Sequence, residues 1–360
     1  MKFLNAISSL PTAPFVESRV VDYIKAFVAE RPKLRLKKDA IGNLLIELPG
    51  KSKSPRWVFS AHMDHPGMRA IRMIDSRTVL AAFHGWVQVD YVRGTKVRFF
   101  SGGKEITGKV IEATTGEHDR WTIPIEVKVR VNGPVEAGSP GMFEQGEGRL
   151  KGQKFYSRAL DDLAGVAAAI TMLDRLAKNP PKATIAVMLT RAEEEGFLGC
   201  IGAVLKPTLI RKSDCIIGIE CSAEQPYAQQ GNGVILRIGD RTSIFHSGLS
   251  YFLNQQAAAL TEKDKTFKYQ RALMPGGTCE STVYDAWGYT AAAVCVPLGN
   301  YHNMDRKKKR IGPEYIDIRD WNNMVKLFVA VAKNAHTYEP GMKSLKARVM
   351  KRYKNFEKLL

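Results

Sequence analysis

The chain has 360 residues, 44% of them hydrophobic, and a formal net charge of +18 at pH 7. This length and apolar content suffice for one large domain with a buried core and a smaller second one, which excludes a short peptide or a disordered tail. The chain has neither a basic segment followed by an apolar leader nor the roughly 18 uninterrupted apolar residues of a membrane span. We therefore expect a cytoplasmic protein without a membrane partner.

The positive charge admits nucleic acid as a partner, because clustered Lys and Arg side chains release counterions from a phosphate backbone. The excess is mostly dispersed, and its two denser places are Arg306 to Arg310 and the basic tail at residues 341–360, which is either a terminal helix or loose chain. We favour a solvated basic face, and keep nucleic-acid binding and steering of acidic substrates as the alternatives.

The cysteines are odd in number and show no C-x-x-C spacing, which argues against a disulfide framework or a thiolate zinc site. They are Cys200, Cys215, Cys221, Cys279 and Cys295. We expect reduced, mostly buried thiols. Cys279 is also conceivable as a nucleophile, but no base is identifiable next to it in the sequence.

Taken in chain order, the first elements predict an α/β domain interrupted by β structure. Apolar residues have helical spacing over Phe15–Glu30, and Leu44–Leu48 and Trp57–Ala61 have the composition of short strands. From residue 67 to 154 short apolar runs alternate with turn residues, with strict period-two alternation over Ile125–Val131. This texture predicts a compact antiparallel β-domain inserted into the larger one.

The α/β pattern resumes after the insertion. An apolar helix stripe covers Leu163–Leu176, strand-like runs follow at Ala183–Leu189, Cys215–Ile219 and Ala291–Val296, and a helix begins near Asp317, a plausible N-cap. The predicted fold is α/β, with a mostly parallel central sheet flanked by helices. The predicted domains are residues 1–66 with 155–340, the insertion at 67–154, and the tail at 341–360.

Chemically capable side chains follow four of the predicted strands. They are His62, Asp64, Glu193, Glu194, Glu220 and His302. Asp161 and Asp162 lie at the mouth of the helix that begins near Leu163. Because ligands bind beyond the carboxyl ends of the strands in a parallel sheet, we expect these groups to converge.

Two imidazoles with several carboxylates suit zinc, cobalt or manganese, and the lack of thiolates indicates a catalytic site rather than a structural one. A pair of metal ions about 3.5–4 Å apart needs a bridging carboxylate, for which Asp161 is the candidate. At the strand end, Glu194 would ligate while Glu193 acts as the general base, and Asp64 would orient His62.

Each of these residues also has a structural explanation when taken alone. A single His62 or His302 is more often a core histidine, Asp161 or Asp162 caps a helix, and Glu193–Glu195 forms an exposed acidic turn. Their joint occurrence after successive strands favours the metal site.

Five motifs in this order resemble the dizinc aminopeptidases of the tetrahedral (TET-type) and glutamyl-aminopeptidase kind, which are also related to deblocking aminopeptidases. The motifs are Ala-His-Met-Asp-His-Pro-Gly, Ser-Arg-Ala-Leu-Asp-Asp-Leu-Ala-Gly, Glu-Glu-Glu-Gly-Phe-Leu-Gly, Gly-Gly-Thr-Cys-Glu and Val-Pro-Leu-Gly-Asn-Tyr-His. The resemblance implies a catalytic α/β domain, a small inserted antiparallel β-barrel that mediates dimerisation, and assembly up to a dodecamer.

The resemblance also implies roles for single residues. One metal would be held by His62, Asp161 and Glu220, the other by Asp161, Glu194 and His302, with Glu193 as the base and Asp64 as the acid beside His62. The chain departs from the family at Glu220, where aspartate is common, and after His302, where Asn303-Met304-Asp305 and Arg306–Arg310 replace Ser-Pro and an acidic residue.

These observations predict a metallo-aminopeptidase that removes N-terminal residues from peptides with two divalent ions. Zinc is the expected metal, with cobalt or manganese as alternatives, and a preference for acidic N-terminal residues would fit the basic segment Arg306–Arg310. The rival functions are a related dimetal carboxypeptidase or deacylase, and a catalytically silent scaffold or nucleic-acid binder.

Overall fold

The computed structural model describes residues 1–114 and 125–360. In this part of the chain a mixed sheet carries helices on both faces, and six further strands close into a barrel. The helices are α1 (Lys2–Ser8), α2 (Ser18–Ala29), α3 (Leu163–Lys178), α4 (Leu198–Leu205), α5 (Ser247–Lys263), α6 (Glu280–Ala286), α7 (Ile318–Asn334) and α8 (Lys343–Phe356).

Strands of the main sheet come from both sides of the insertion. They are β1 (Arg35–Lys38), β2 (Leu44–Leu48), β3 (Trp57–His62), β10 (Arg149–Lys151), β11 (Lys154–Ser157), β12 (Ile185–Thr190), β13 (Cys215–Ala223), β14 (Val234–Gly239), β15 (Tyr269–Leu273), β16 (Thr290–Gly299) and β19 (Glu314–Asp317). The barrel strands are β4 (Gly67–Asp75), β5 (Thr78–His84), β6 (Lys96–Ser101), β7 (Lys104–Thr114), β8 (Ile125–Val131) and β9 (Pro140–Phe143). A short hairpin pairs β17 (Met304–Asp305) with β18 (Arg310–Ile311).

Four parallel strands form the centre of the sheet, in the order β12, β3, β13 and β16, and antiparallel strands flank them on both sides. The register places Thr190 of β12 beside His62 of β3. The predicted α/β class with a parallel sheet flanked by helices is confirmed, and the carboxyl ends of the central strands meet at one edge.

The central strands are buried on both faces, which explains their nearly continuous apolar sequence. Side chains alternate between two cores: Trp57 and Phe59 pack on the side of α3 and α7, whereas Val58 packs on the side of α4 and α6. Asp162 caps α3 by accepting a hydrogen bond from the Gly165 amide at 3.0 Å. The cap fixes where the helix begins.

The inserted strands close in the order β4, β5, β8, β7, β6 and β9. The alternation seen in the sequence places Val127, Val129 and Val131 inside the barrel, where they pack with Phe99. The expected antiparallel insertion is therefore a closed barrel, a shape that removes the free edges of the inserted sheet. β10 and β11 follow it and join the main sheet through β19.

Two further expectations concern the thiols and the C-terminus. All five cysteines are free and buried. The basic tail contains a helix, α8, rather than loose chain alone. Across residues 1–114 and 125–360, none of the helices combines the length and apolar character needed to cross a bilayer.

Candidate metal centre

The side chains that follow the central strands meet at one edge of the sheet. His62 ends β3, Glu193 and Glu194 follow β12, Glu220 lies within β13, and His302 follows β16. Glu193, Glu194, Glu220 and His302 line a cavity of about 610 Å³ together with Asp161. A ring nitrogen of His62 lies within 4.8 Å of carboxylate oxygens of Glu193 and Glu220. All are nearly buried, so their charges interact in a medium that screens poorly.

His62 faces two carboxylates with one ring nitrogen. Its Nε2 atom is 3.6 Å from Asp161 Oδ1 and 3.9 Å from Glu193 Oε2. Ligand atoms of His62, Glu193 and Glu220 all lie within 4.8 Å of one another. The sequence argument assigned Glu193 to catalysis, whereas this spacing also puts its carboxylate within reach of a cation held by the other two.

His302 belongs to a second group, with Asp161 and Glu194. The His302 Nε2 atom is 3.3 Å from Glu194 Oε2 and 3.9 Å from Asp161 Oδ2. Its Nδ1 atom is 2.6 Å from the carbonyl oxygen of Trp86, so Nδ1 carries the proton and Nε2 keeps its lone pair. Asp161 thus offers one oxygen to each histidine, as a bridging carboxylate would.

Asp64 is completely buried and joins the two glutamates to His62. Its two carboxylate oxygens accept hydrogen bonds from the amides of Glu193 and Glu194, both at 3.0 Å. The Asp64 Oδ1 atom is 3.6 Å from His62 Nδ1. The backbone carbonyl oxygen of Asp64 is 3.2 Å from the same nitrogen. One side chain therefore orients an imidazole and the turn that presents both glutamates.

Glu314 was not recognised from the sequence, although it connects Asp161 with His302. Its Oε2 atom accepts hydrogen bonds from the amides of Leu160 (2.7 Å) and Asp161 (3.2 Å), and its Oε1 atom accepts one from the amide of His302 (2.9 Å). His65 supports the same backbone, since its Nδ1 is 2.7 Å from the Asp161 carbonyl oxygen. A lone glutamate after a Gly-Pro pair gives no pattern from which this role could be predicted.

The loops that present these side chains contain left-handed backbone at non-glycine residues. Ala192 has φ 48°, just before Glu193, and His302 has φ 55°, between Asn300 (54°) and Asn303 (60°). Such conformations cost of order 1–3 kcal/mol each and persist where the surrounding structure imposes them. The hydrogen bonds that Asp64 accepts from the amides of Glu193 and Glu194, and that Glu314 accepts from the amide of His302, supply that constraint.

The electrostatics of the cluster call for cations. Burial raises the pKa of Glu193 and of Glu194 well above the ordinary value, and neighbouring carboxylates add to both rises. Burial raises the pKa of Glu220 to about 8, with Asp161 adding to the rise and Arg237 opposing it. Burial lowers the pKa of His302 to about 4, which keeps its imidazole neutral and able to ligate.

Unsatisfied atoms in the cluster support the same conclusion. Among the described residues, Asp161 Oδ1, Glu194 Oε1 and His302 Nε2 are buried without a hydrogen-bond partner. Buried carboxylates are stable when they are paired or bound to metal, and the three residues form a group whose ligand atoms lie within 4.8 Å of one another. The donor set, imidazole nitrogen and carboxylate oxygen without thiolate, fits divalent zinc, cobalt or manganese.

The far wall of the cavity is basic. Arg237 on β14 is only 4% exposed, and Arg241 and Arg306 line the same space. Among the described residues, the Arg237 side chain makes neither a hydrogen bond nor an ion pair within 4.0 Å, and its Nε atom is buried without a partner. The sequence argument missed Arg237, because a single arginine in a β-strand is ordinarily a solvent-facing residue.

Cys279 also lines the cavity, but burial raises the pKa of its thiol far above the ordinary value. A thiolate nucleophile is therefore not available at neutral pH.

Comparison with known proteins places this geometry in a family. A model of the M42 glutamyl aminopeptidase family matches residues 42–327. A protein of Acetivibrio thermocellus named as an aminopeptidase is 25% identical over 343 residues. The match covers 91% of this chain and 96% of the length of that protein. Both matches span the cavity-lining segments.

Solved structures share the fold. The TET1 peptidase of Pyrococcus horikoshii superposes with a TM-score of 0.75 at 20% identity, covering 92% of this chain and 98% of that chain. An aminopeptidase of the archaeon Desulfurococcus kamchatkensis gives a TM-score of 0.75 at 20% identity, with 92% and 94% covered.

Proposed function

Because the chain belongs to the M42 glutamyl aminopeptidase family and is a metallo-aminopeptidase, we propose that it binds two zinc ions at the strand ends and uses Glu193 as its general base. The observation that carries this proposal is the pair of ligand groups, His62 with Glu220 and His302 with Glu194, on either side of Asp161. Asp161, which lies between the two groups, would help to hold both ions.

When bound, two divalent ions polarise the scissile carbonyl and make water more acidic. The chain's own groups would do the rest. Glu193, held by the Asp64 bond to its amide, takes a proton from the attacking water on Oε2 and returns it to the leaving amine as the C–N bond breaks. The burial of the cluster excludes bulk water from these steps.

The decisive experiment is metal analysis of Glu193→Gln together with an aminopeptidase assay. If Glu193 is the base, the variant keeps two ions per chain and loses at least about 10²-fold in kcat. A matched control is Glu112→Gln, an exposed barrel residue paired with Lys128 at 2.9 Å, which should change neither quantity.

Loss of one ion in Glu193→Gln would instead make Glu193 a ligand beside His62 and Glu220, and full activity would overturn the mechanism. If the purified protein contains cobalt or manganese instead, the assignment of zinc is wrong. Cleavage of N-acetylated peptides in preference to free ones would point to the deacylase alternative.

We also propose that acidic N-terminal residues are preferred. The Arg237 Nε atom is buried without a partner and the side chain lines the cavity, so an incoming carboxylate would supply a charge partner for the guanidinium. Arg241 and Arg306 line the same cavity and strengthen the attraction. The aminopeptidase proposal does not depend on this preference.

Anilides of glutamate, leucine and lysine test the preference. Arg237→Met should lower kcat/KM for the glutamyl substrate by about thirtyfold or more, because a buried charge pair is lost, and leave the leucyl substrate nearly unchanged. Arg130→Met, at an exposed barrel position, is the control. A preference for the lysyl substrate in the unmodified enzyme would contradict the proposal.

Finally, we propose a cytoplasmic homo-oligomer, a dimer or larger up to a dodecamer. The barrel exposes Ile71 (38%), Ile74 (42%) and Ile111 (38%), apolar side chains that a neighbouring subunit would cover. The TET1 peptidase of Pyrococcus horikoshii is described as assembling into a tetrahedron or a large octahedral shell. Light scattering should give a multiple of the chain mass, and Ile74→Glu should reduce it; a monomer would contradict this.

A further inference from the structure

The C-terminal helix α8 carries a surface that the aminopeptidase reaction does not use. The family model ends at residue 327, before this helix begins. In the described part of the chain α8 has no buried residue, and Val349 (58%), Tyr353 (50%) and Phe356 (55%) are exposed. Water-exposed aromatic and aliphatic side chains grouped on one helix mark an interaction surface.

These residues form one stripe. Leu345, Val349, Tyr353 and Phe356 follow each other at spacings of four, four and three, so they lie on the same side of the helix. The chain continues beyond the helix with Leu359 and Leu360, which are 81% and 96% exposed. Two more exposed apolar side chains therefore follow the stripe along the chain.

The rest of the helix surface is basic. Between Lys343 and Phe356 there is no acidic residue, and the cationic side chains are Lys343, Lys346, Arg348, Lys351, Arg352 and Lys354. At 100° per residue, Lys351 and Lys354 lie opposite the stripe, whereas Lys346 and Arg352 border it. Bordering cations with long aliphatic stems can keep their charge at a polar boundary while the stripe is covered by apolar material.

Contacts at its start hold the helix to the body of the protein. Tyr338 is wedged between Trp57 and Phe252, with ring centroids at 5.4 and 5.5 Å. The Gln255 Nε2 atom donates a hydrogen bond to Ser344 Oγ at 3.3 Å. The exposed stripe begins beyond this point, so the helix presents it away from the core that anchors it.

Charge complementarity identifies the occupant. The apolar stripe needs an apolar medium, and the flanking cations need a dense layer of negative charge beside it. A second copy of α8 carries the same six cations and no acidic residue between Lys343 and Phe356, so two copies of this helix would repel each other. Nucleic acid supplies the negative charge but not the apolar medium. An anionic lipid bilayer supplies both.

We propose that α8 lies in the headgroup layer of an anionic membrane, with its apolar stripe among the acyl chains and its cations against lipid phosphates and carboxylates. The helix does not span the bilayer. Binding of α8 to a membrane surface would leave the expectation of no membrane partner valid for membrane-spanning segments alone. This binding does not depend on the aminopeptidase proposal.

Sedimentation of the full-length chain with lipid vesicles tests the proposal. Binding should require phosphatidylserine in phosphatidylcholine vesicles and should weaken as salt is raised. The double variant Val349→Ser with Phe356→Ser keeps every charge and should bind at least about tenfold more weakly, because two apolar side chains no longer leave water. The matched control, Val349→Leu with Phe356→Leu, should bind like the unmodified chain.

Three results would overturn the proposal. The first is no binding of the unmodified chain to phosphatidylserine vesicles. The second is vesicle binding that the serine variant retains in full, which would show that the cations alone account for the binding and that the stripe does not enter the acyl chains. The third is a fall in mass of the serine variant without vesicles, which would make the stripe a contact between copies. An unchanged thermal unfolding midpoint in both variants shows that the body is intact.

Discussion

The substitution Glu314→Gln tests whether the carboxylate of Glu314 positions the centre. The side chain is completely buried and accepts three amide hydrogen bonds, two on Oε2 and one on Oε1. An amide has a single oxygen. The better orientation keeps the bonds from Leu160 and Asp161 and turns the NH₂ group toward the amide of His302, so two donors face each other.

The magnitude follows from these three bonds. An unsatisfied buried donor costs about 1–3 kcal/mol, and each bond that remains loses about 1 kcal/mol when its acceptor is no longer charged. We therefore expect Glu314→Gln to lower the free energy of unfolding of the metal-free protein by about 3–5 kcal/mol. Because His302 loses its tether, metal affinity should fall by about 10–100-fold.

Urea unfolding in the presence of a chelator measures the free energy of unfolding of the metal-free protein. Competition with a chromogenic chelator measures the metal affinity. Burial raises the pKa of Glu314 to about 7, so pH 8 is suitable because the carboxylate of the unmodified protein is then ionised. Glu112→Gln, on the exposed barrel surface, should change stability by no more than about 0.5 kcal/mol. Unchanged metal affinity in Glu314→Gln would refute the positioning role, even if stability falls.

Three other perturbations have clear outcomes. Arg56→Met should destabilise the protein by about 3–5 kcal/mol in urea unfolding, because Asp214, bonded to Arg56 at 2.6 Å and 1% exposed, is left as an unpaired buried charge; a loss below 1 kcal/mol would contradict this. Removal of the metal with a chelator should abolish peptidase activity and lower the thermal unfolding midpoint, and added zinc should restore both quantities. If the chelator changes neither quantity, the metal centre is contradicted. Asp64→Asn should lower both kcat/KM and metal affinity. If neither quantity changes, Asp64 does not position Glu193 and Glu194.

Strand-end reasoning brought the right side chains together because parallel strands impose a common edge. His62, Glu194, Glu220 and His302 each follow or end a buried apolar run, a signal visible in a single sequence. Their roles as ligands stay predictions. The same reasoning could not find Glu314, because its partners Leu160 and Asp161 lie far away in the chain. It also could not find Arg237, because no pattern in the sequence shows that this strand residue lines the cavity.

Secondary structure was predictable where burial is periodic. The helices beginning at Leu163 and Ile318 have apolar stripes and aspartate caps, and both lie where the pattern placed them. α5 was missed, because its stretch of alanines and glutamines does not form a clean stripe. The positive φ values at Ala192 and His302 had no sequence signal, since glycine would be the expected residue there.

The bond between His302 and Trp86 bears on how the barrel can be treated in protein engineering. Trp86 immediately follows strand β5 and its glycine, and Gly85 donates a hydrogen bond to Glu195 at 2.9 Å. The loop between the barrel strands β5 and β6 thus sets the tautomer of one imidazole and secures the turn that carries the glutamates. Excising the barrel, or exchanging it for that of a relative, would leave an intact sheet with an unaligned histidine. A replacement barrel therefore has to place the backbone carbonyl of residue 86 where it accepts the hydrogen bond from His302 Nδ1.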